Sequence, residues 1–283
     1  MVFADGLRSG RFVVALEITP PQQPRPSVLL RRARLLGAQP DAINVIQRPD
    51  RQSSLDAALT LLQTGLEPVW HLVNRGRHHA EIVTDLQRAA SMGITQVLCL
   101  RGDHRGADVA DTPTIRDVIT LARQLLPNAL IGATFNQYAL DPQVALRNLA
   151  GKLAAGAGYV QTQPVFEVTA LRPLAEQVRE ASSLTPLVPM AIPLLTIGAA
   201  ERIATRLGMP LPDHLRTRLT QGGSAAGWDH FEETLAALKQ ASWADGVAIM
   251  TAELDAPPEV GERLVAALTS TGLIPQPVRL SEP

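Results

Sequence analysis

The segment RFVVALEITPP, residues 11–21, predicts the first element of the fold. Residues 12–18 are apolar except for Glu17, as in a strand of a parallel sheet that is buried on both faces. Two prolines follow and end the strand. An ionised carboxylate without a partner is costly to remove from water. Glu17 therefore either faces a polar site at the end of this strand or is an ordinary solvated residue of its rim.

Short apolar runs of this kind recur along the chain and alternate with longer segments of helical period. The predicted strands are residues 12–18, 41–46, 67–73, 96–101, 129–135, 158–163, 187–192 and 245–250. The predicted helices lie near residues 26–37, 53–64, 78–92, 113–125, 141–156, 167–182, 196–207 and 257–272. Alternating strands and helices in a chain of 283 residues are typical of a (β/α)8 TIM barrel, an α/β fold that usually takes ~250 residues.

An open doubly wound sheet is the alternative fold, because the number of strands does not show whether the sheet closes. No glycine–serine tract and no block of charge divides the chain, so we expect a single barrel domain over residues 1–283. Residues 208–244 carry extra helical material before the last strand, which indicates an insertion in the seventh unit. This apolar insertion is the segment that would supply an interface in a homo-oligomer.

Composition and charge exclude several classes of function. The formal net charge of −1 gives no electrostatic footprint for nucleic acid or for an anionic membrane. Cys99 is the only cysteine, which excludes internal disulfides and a cysteine metal cage. His78 and His79 are adjacent and diverge on a helix, so they make a poor chelate, and we predict no metal site. We find no signal segment and no apolar stretch of membrane-spanning length, and we expect a cytoplasmic protein.

Polar residues follow several of the predicted strands at their C-terminal ends. They are Glu17, His71, Arg101–Gly102–Asp103, Asn136–Gln137 and Gln161–Thr162–Gln163. In a (β/α)8 barrel these ends meet on one face, where the active site is built, so the set predicts a concave polar site. The sequence has no glycine-rich dinucleotide fingerprint, no P-loop and no G-x-S-x-G motif. Any dinucleotide must therefore be held in another way.

Five segments of the chain form a recognisable ordered set. They are ALEITPP (15–21), HLVNRGR (71–77), VLCLRGD (97–103), KLAAGAGYVQTQPVFE (152–167) and PMAIPLLT (189–196). This set resembles the methylenetetrahydrofolate reductase family, most closely a branch found in bacteria and archaea. The resemblance covers about residues 12–200 and fades through residues 208–283.

The resemblance implies a flavin-bearing (β/α)8 barrel that reduces 5,10-methylenetetrahydrofolate to 5-methyltetrahydrofolate. NADH or NADPH would reduce the FAD first and then leave, and the folate would take its place. The five-membered ring of the folate must open to an iminium ion, so a general acid must protonate a ring nitrogen. Glu17 matches the catalytic glutamate of the family, and its burial predicts a raised pKa suited to this role.

Two further residues match folate-side positions of the family. Asp103 matches an aspartate near the flavin and the pterin. Its negative charge would make the reduced flavin a better hydride donor and would stabilise the developing cation. Gln163 matches a glutamine that hydrogen-bonds the substrate, since an amide offers both a donor and an acceptor to the pterin edge.

The resemblance also implies a set of cofactor-binding residues, among which the cations are suited to the flavin pyrophosphate. They are His71, Arg75, Arg101, Gly102, Asp103, Phe135, Asn136 and Lys152. Arg75 is one of a pair with Arg77, which the resemblance assigns to phosphate or to loop structure. The alternative for Lys152 is a solvated lysine on an amphipathic helix.

Several positions depart from the usual family pattern. Ile46 stands in place of a threonine, Phe135 of a tyrosine, Asn136–Gln137 of a proline–glutamate pair, Ala145 of an aspartate and Ile197 of an aromatic residue. An arginine expected after the last strand is not evident. Each lost hydrogen bond removes ~0.5–1.5 kcal/mol of binding free energy, and the losses fall mainly on residues that would contact the flavin. The folate-side residues are kept better than the flavin-side residues.

Three alternatives keep a pterin-binding barrel and change its function. In the first, hydride passes from the nicotinamide directly to the folate without a flavin. In the second, the protein moves a methyl group to a corrinoid or a thiol, which would need a cobalamin partner or a zinc–thiolate site that the sequence does not offer. In the third, the chain is a non-catalytic folate-binding subunit of a larger complex. Uptake of flavin and turnover with a pyridine nucleotide distinguish these alternatives.

Overall fold

The computed structural model describes residues 2–102, 109–182 and 185–275, and these residues form a closed barrel of eight parallel strands. The strands are β1 (Val13–Ile18), β2 (Ala42–Val45), β3 (Pro68–Val73), β4 (Gln96–Leu100), β5 (Leu130–Phe135), β6 (Tyr159–Pro164), β7 (Leu187–Ala191) and β8 (Gly246–Ile249). Each begins and ends within one residue of its predicted bounds. The last strand pairs with the first, with Val13 opposite Gly246, so the sheet is not open. The predicted (β/α)8 barrel is confirmed.

Helices alternate with these strands around the outside of the barrel. They are α1 (Val2–Arg8), α2 (Pro26–Ala33), α3 (Ser54–Leu62), α4 (His79–Ser91), α5 (Ile115–Leu125), α6 (Pro142–Ala154), α7 (Val168–Ala181), α8 (Ile197–Leu207), α9 (Asp213–Gln240) and α10 (Pro258–Ser270). All of the predicted helices are present, α1 is additional, and α9 is the helical material predicted between residues 208 and 244. Across the described part of the chain, no helix combines the length and the apolar character that crossing a membrane requires.

Alternation of side chains along each strand divides the core into two layers. Ala15 belongs to the cluster inside the barrel, whereas its neighbours Val14 and Leu16 belong to the cluster between the strands and the helices. The ring of Tyr159 also lies inside the barrel, opposite Gly132 of β5. A Cβ atom at Gly132 would lie 2.2 Å from this ring, so glycine there makes room for the tyrosine.

Helix α1 closes the N-terminal end of the barrel and was not predicted from the sequence. Phe3 and Leu7 pack in the inner cluster with Val13 and Tyr159, which are the first residues of β1 and β6. The rings of Phe3 and Tyr159 meet edge to face with centroids 5.6 Å apart. The helix therefore places apolar side chains over one mouth of the barrel and leaves the opposite mouth for ligands.

The insertion in the seventh unit covers part of that opposite mouth. Non-helical dihedral angles at Gly223 divide α9 into two parts, and α8 contacts α9. Ile203 of α8 and Leu215 of the first part of α9 pack in the same cluster as Met190 and Met250, at the C-terminal ends of β7 and β8. Residues of the insertion are therefore part of the wall around the strand ends.

The role of α1 can be tested through Phe3, whose side chain is 1% exposed. We expect Phe3→Ala to lower the free energy of unfolding by about 3–5 kcal/mol, because it leaves a cavity beneath Tyr159. Urea denaturation followed by circular dichroism measures this. Val2→Ala on the same helix is the matched control, since Val2 is 54% exposed, and it should cost less than about 0.5 kcal/mol. Equal, small effects of both changes would show that α1 does not seal the barrel in solution.

Candidate active site

Glu17 lies at the C-terminal end of β1 and faces the barrel interior, two residues after the inward-facing Ala15. Only 9% of its surface is exposed. Gln161 of β6 donates a hydrogen bond from Nε2 to Glu17 Oε2 at 3.3 Å. The structure therefore answers the question that the sequence left open, because Glu17 is not a solvated rim residue.

A second amide extends this contact across the barrel. Asn44 of β2 is the register partner of Glu17, and its Nδ2 donates to Gln161 Oε1 at 2.8 Å. The oxygen of the Asn44 amide is buried and accepts no hydrogen bond from the described residues. Asn44 was not among the predicted site residues, although a polar side chain within an apolar strand is a weaker form of the signal that singled out Glu17. The three side chains form a hydrogen-bonded chain between β1, β2 and β6.

Burial controls the charge of Glu17. The loss of water around the carboxyl group raises its pKa to about 7 from an ordinary value of 4.5. The hydrogen bond from Gln161 and the positive charges of Arg48 and Arg206 act in the opposite direction and only partly offset the burial. A carboxyl group with this pKa holds a proton in a large fraction of molecules near neutral pH, which is what a general acid requires.

A cavity of about 740 Å³ opens beside Glu17 at the C-terminal mouth of the barrel. Thr19, Arg48 and Met250, from the segments after β1, β2 and β8, line it, and Arg206 of α8 lines it as well. The cavity continues between α2 and α10. Its volume lies within the range of ~300–1,000 Å³ that is typical of sites for small organic ligands.

Gln163, the predicted substrate-binding residue, follows Gln161 by two positions on β6. Its backbone is held by Gln137, whose Oε1 accepts from Gln163 N at 3.0 Å and whose Nε2 donates to Gln163 O at 2.8 Å. The side chain of Gln163 makes no hydrogen bond within the described residues. Gln137, one of the two residues that depart from the family pattern after β5, thus fixes the backbone of Gln163 and leaves its amide group for a ligand.

His71 lies on β3 with 3% of its surface exposed. Burial lowers its pKa to about 3, so the imidazole is neutral. Its Nε2 atom is buried and has no hydrogen-bond partner among the described residues. Buried polar atoms in native proteins are generally hydrogen-bonded, so an unpartnered atom of this kind near the mouth of a barrel indicates a place for a polar ligand.

The segments after β3 and β4 run side by side and carry Arg75, Arg101 and Gly102. Arg75 N donates to Arg101 O at 3.2 Å. Gly102 has a φ of +88°, and a Cβ atom there would lie 2.6 Å from Cγ1 of Val73. Glycine is therefore required for this backbone path. The predicted catalytic residue Asp103 follows directly and lies outside the described residues.

Phe135, Asn136 and Lys152 line a second cavity of about 370 Å³ between β5 and α6. Phe135 packs in the core between the barrel and the helices, and Asn136 Oδ1 accepts from Tyr138 N at 3.0 Å. Lys152 Nζ donates to Thr134 O at 2.6 Å, and burial lowers its pKa. Lys152 is therefore not an ordinary solvated lysine, and its ammonium group points toward the backbone of β5.

The profile of the methylenetetrahydrofolate reductase family matches residues 3–225. The chain belongs to the methylenetetrahydrofolate reductase family. The match runs from α1 into α9 and includes Glu17, Asn44, Gln161 and Gln163. The second part of α9, β8 and α10 lie beyond it.

Two relatives in the methylenetetrahydrofolate reductase family match part of the chain. The "Probable methylenetetrahydrofolate reductase (NADPH)" of Caenorhabditis elegans is 28% identical over 171 residues, which is 58% of this chain and 26% of that protein. "Methylenetetrahydrofolate reductase 2" of Schizosaccharomyces pombe is 25% identical over 170 residues, which is 53% of this chain and 26% of that protein. The chain thus spans about a quarter of the length of these relatives.

Solved structures share the barrel at low sequence identity. An uncharacterized protein from Clostridium thermocellum that binds two copies of 5-methyl-5,6,7,8-tetrahydrofolic acid has a TM-score of 0.72 at 12% identity, over 97% of this chain and 100% of that one. Phosphonopyruvate hydrolase in complex with oxalate and Mg²⁺ has a TM-score of 0.56 at 13% identity, over 100% of this chain and 90% of that one. At these identities the likeness shows the fold alone.

Three of the residues that depart from the methylenetetrahydrofolate reductase pattern either line a cavity or pack against the inner core. Ile46 lines the cavity beside Glu17, and Ala145 lines the cavity beside Lys152. Ile197 packs against the inner apolar cluster. Ile46 and Ala145 are apolar, so neither can make the hydrogen bonds of a threonine or an aspartate, and Ile197 lacks the ring of an aromatic residue.

The pKa of Glu17 predicts how stability varies with pH. Between pH 4.5 and about 7 the folded chain binds more protons than the unfolded chain, so the free energy of unfolding falls as the pH rises. Glu17→Gln removes this titration. From about pH 4 to about pH 8, we expect the stability of the variant relative to the wild type to rise by ~3 kcal/mol, measured by urea denaturation.

The matched control for this experiment is Glu176→Gln, which changes an exposed carboxylate on α7 that pairs with Arg172. Its stability relative to the wild type should vary with pH by less than about 0.5 kcal/mol. If Glu17→Gln behaved in the same way, the carboxyl group of Glu17 would have an ordinary pKa and would not be desolvated.

Proposed function

We propose that this chain reduces 5,10-methylenetetrahydrofolate to 5-methyltetrahydrofolate, with NADPH as the source of hydride and Glu17 as the proton donor. The observation that carries the proposal is a buried carboxyl group with a pKa of about 7 beside a cavity of about 740 Å³. Membership of the family supports the reaction class. The name of the C. elegans relative supports NADPH, and the ligand of the C. thermocellum barrel supports a folate.

The reaction needs one proton and one hydride. When a ring nitrogen takes the proton, its bond to the methylene carbon breaks and leaves an iminium ion. Hydride then adds to that carbon and gives the methyl group. Gln161 donates to Oε2 of Glu17, which leaves Oε1 available to a ligand in the cavity and orients the carboxyl group toward it.

Two other residues are assigned to the folate in this proposal. The side-chain amide of Gln163 supplies a donor and an acceptor for the edge of the pterin, while Gln137 keeps its backbone in place. Asp103, which lies outside the described residues, is assigned to stabilise the positive charge of the iminium ion. Asn44 holds Gln161 and so acts on Glu17 through a second side chain.

We propose FAD as the hydride carrier between the two substrates. The buried Nε2 of His71, which has no partner among the described residues, fits a hydrogen-bonding atom of a planar polar ring system. Arg75, Arg101 and Lys152 would supply positive charge for the pyrophosphate. The chemistry that bound FAD would supply at this site is hydride transfer between NADPH and the folate.

Direct transfer from NADPH to the folate is the second candidate function. Two observations favour it over the flavin-dependent reaction. Lys152 Nζ donates a hydrogen bond to Thr134 O at 2.6 Å, so part of its capacity to bind a pyrophosphate is used within the protein. Ile46 presents an apolar surface to the cavity where the family usually has a hydroxyl group. Both candidates use Glu17 in the same role.

The role of Glu17 can be tested by Glu17→Gln, which keeps the shape of the side chain and removes its proton-donating group. We expect turnover with methylenetetrahydrofolate to fall ~10²-fold or more, while the Kd for 5-methyltetrahydrofolate and the reaction with NADPH alone stay nearly unchanged. Stopped-flow measurement of each half-reaction separates these effects. Glu176→Gln is the control and should leave all rates unchanged. If both half-reactions fell equally, Glu17 would be a structural residue.

The flavin can be tested by absorption spectroscopy of the purified chain. Addition of FAD should give a bound-flavin spectrum that NADPH bleaches without oxygen. His71→Ala should weaken FAD binding about 10-fold, since one hydrogen bond is lost, whereas His79→Ala at the exposed start of α4 should not. A protein that takes up no flavin yet oxidises NADPH in the presence of the folate would show that direct transfer is correct.

A further inference from the structure

Arg48 has a side chain that the fold does not use. It follows β2, is half-buried, and lines the cavity beside Glu17. Within the described residues, its guanidinium group makes no hydrogen bond and has no carboxylate within 4 Å. A partly desolvated cation without an anionic partner is unfavourable, so such a group at the wall of a cavity indicates that a ligand supplies the anion.

Two other arginines in the same cavity wall, Arg31 and Arg32, are already paired. Asp255, after β8, accepts from Arg31 Nη2 at 2.6 Å and from Arg32 Nη2 at 2.7 Å. Arg32 also donates to Thr19 O at 2.6 Å. These contacts join α2 to the segment after β8, so Arg31 and Arg32 hold the cavity wall together.

The carboxylates of the cavity do not neutralise Arg48. Glu17 is hydrogen-bonded to Gln161 and is close enough to Arg48 only for the positive charge to act on it through space. Glu253 and Glu262 line the outer part of the cavity and are exposed, so water solvates them. None of these three carboxylates is therefore a close ionic partner of Arg48.

We propose that Arg48 binds an oxyanion of the ligand that occupies this cavity and so determines which ligands are accepted. The planar guanidinium group matches a carboxylate or a phosphate in a two-point contact. Two sources of this chemistry are available, a glutamyl carboxylate of the folate or the pyrophosphate of the nicotinamide dinucleotide. The inference rests on the proposed function, because it takes the ligand to be one of these substrates.

The experiment measures binding of 5-methyltetrahydrofolate and of NADPH separately, by fluorescence titration, in three variants of the full chain. Arg48→Gln removes the charge, and Arg48→Lys keeps the charge but loses the planar group that makes a two-point contact. Arg147→Gln, at an exposed arginine of α6, makes the same charge change away from the cavity. We expect Arg48→Gln to raise the Kd of one ligand about 10-fold to 100-fold. We expect Arg48→Lys to have an intermediate effect and Arg147→Gln to have none.

The source of the oxyanion follows from which affinity changes. If the folate is affected, an analogue that lacks the glutamyl group should bind the wild type and Arg48→Gln equally, which assigns the contact to the carboxylate. If only NADPH is affected, the contact is to its phosphates.

The remaining outcomes distinguish failure of this inference from failure of the proposed function. Affinities within twofold of the wild type, with or without an altered pH profile of kcat, would limit Arg48 to tuning Glu17 and exclude a binding role. A wild type that binds folate in an Arg48-dependent way but shows no turnover would retain this inference and contradict the reductase. A wild type that binds neither ligand would contradict both.

Discussion

The pairing of β8 with β1 is the constraint on which the candidate site depends. Closure of the sheet turns the inward faces of all strands toward one another, so side chains that are far apart in the sequence meet across the interior. Glu17 and Gln161 are 144 positions apart and form a hydrogen bond for this reason. In an open sheet β1 and β6 would not face each other, and the carboxyl group would lack its amide partner.

Closure also explains why burial dominates the chemistry of Glu17. Beneath it the barrel is filled by Ala15 and Tyr159, and Phe3 of α1 packs on that ring from the opposite mouth. Water can therefore reach the carboxyl group only from the ligand side. The single hydrogen bond from Gln161 and two positive charges at a distance are too weak to restore a pKa typical of an exposed glutamate.

The sequence predicted the parts of the molecule that leave a periodic or chemical signal. Apolar runs located every strand to within one residue, and a charge in an apolar strand singled out Glu17. Asn44 has the same position in β2 but carries no charge, so its signal was weaker. Helix α1 is short and precedes the first strand, where no flanking strand marked it. Arg48 lies in a loop, and only the closed barrel brings it beside Glu17.

The same arrangement couples the two ends of the cavity. The charge of Arg48 favours the ionised form of Glu17, so an anion bound to Arg48 would cancel part of that effect and raise the pKa of Glu17 further. A ligand bound through Arg48 therefore makes Glu17 hold its proton more tightly. By linkage, the ligand also binds more tightly when Glu17 is protonated. An ionised Glu17 instead competes with the ligand for the charge of Arg48. The protein thus binds such a ligand best in the protonation state that a general acid needs.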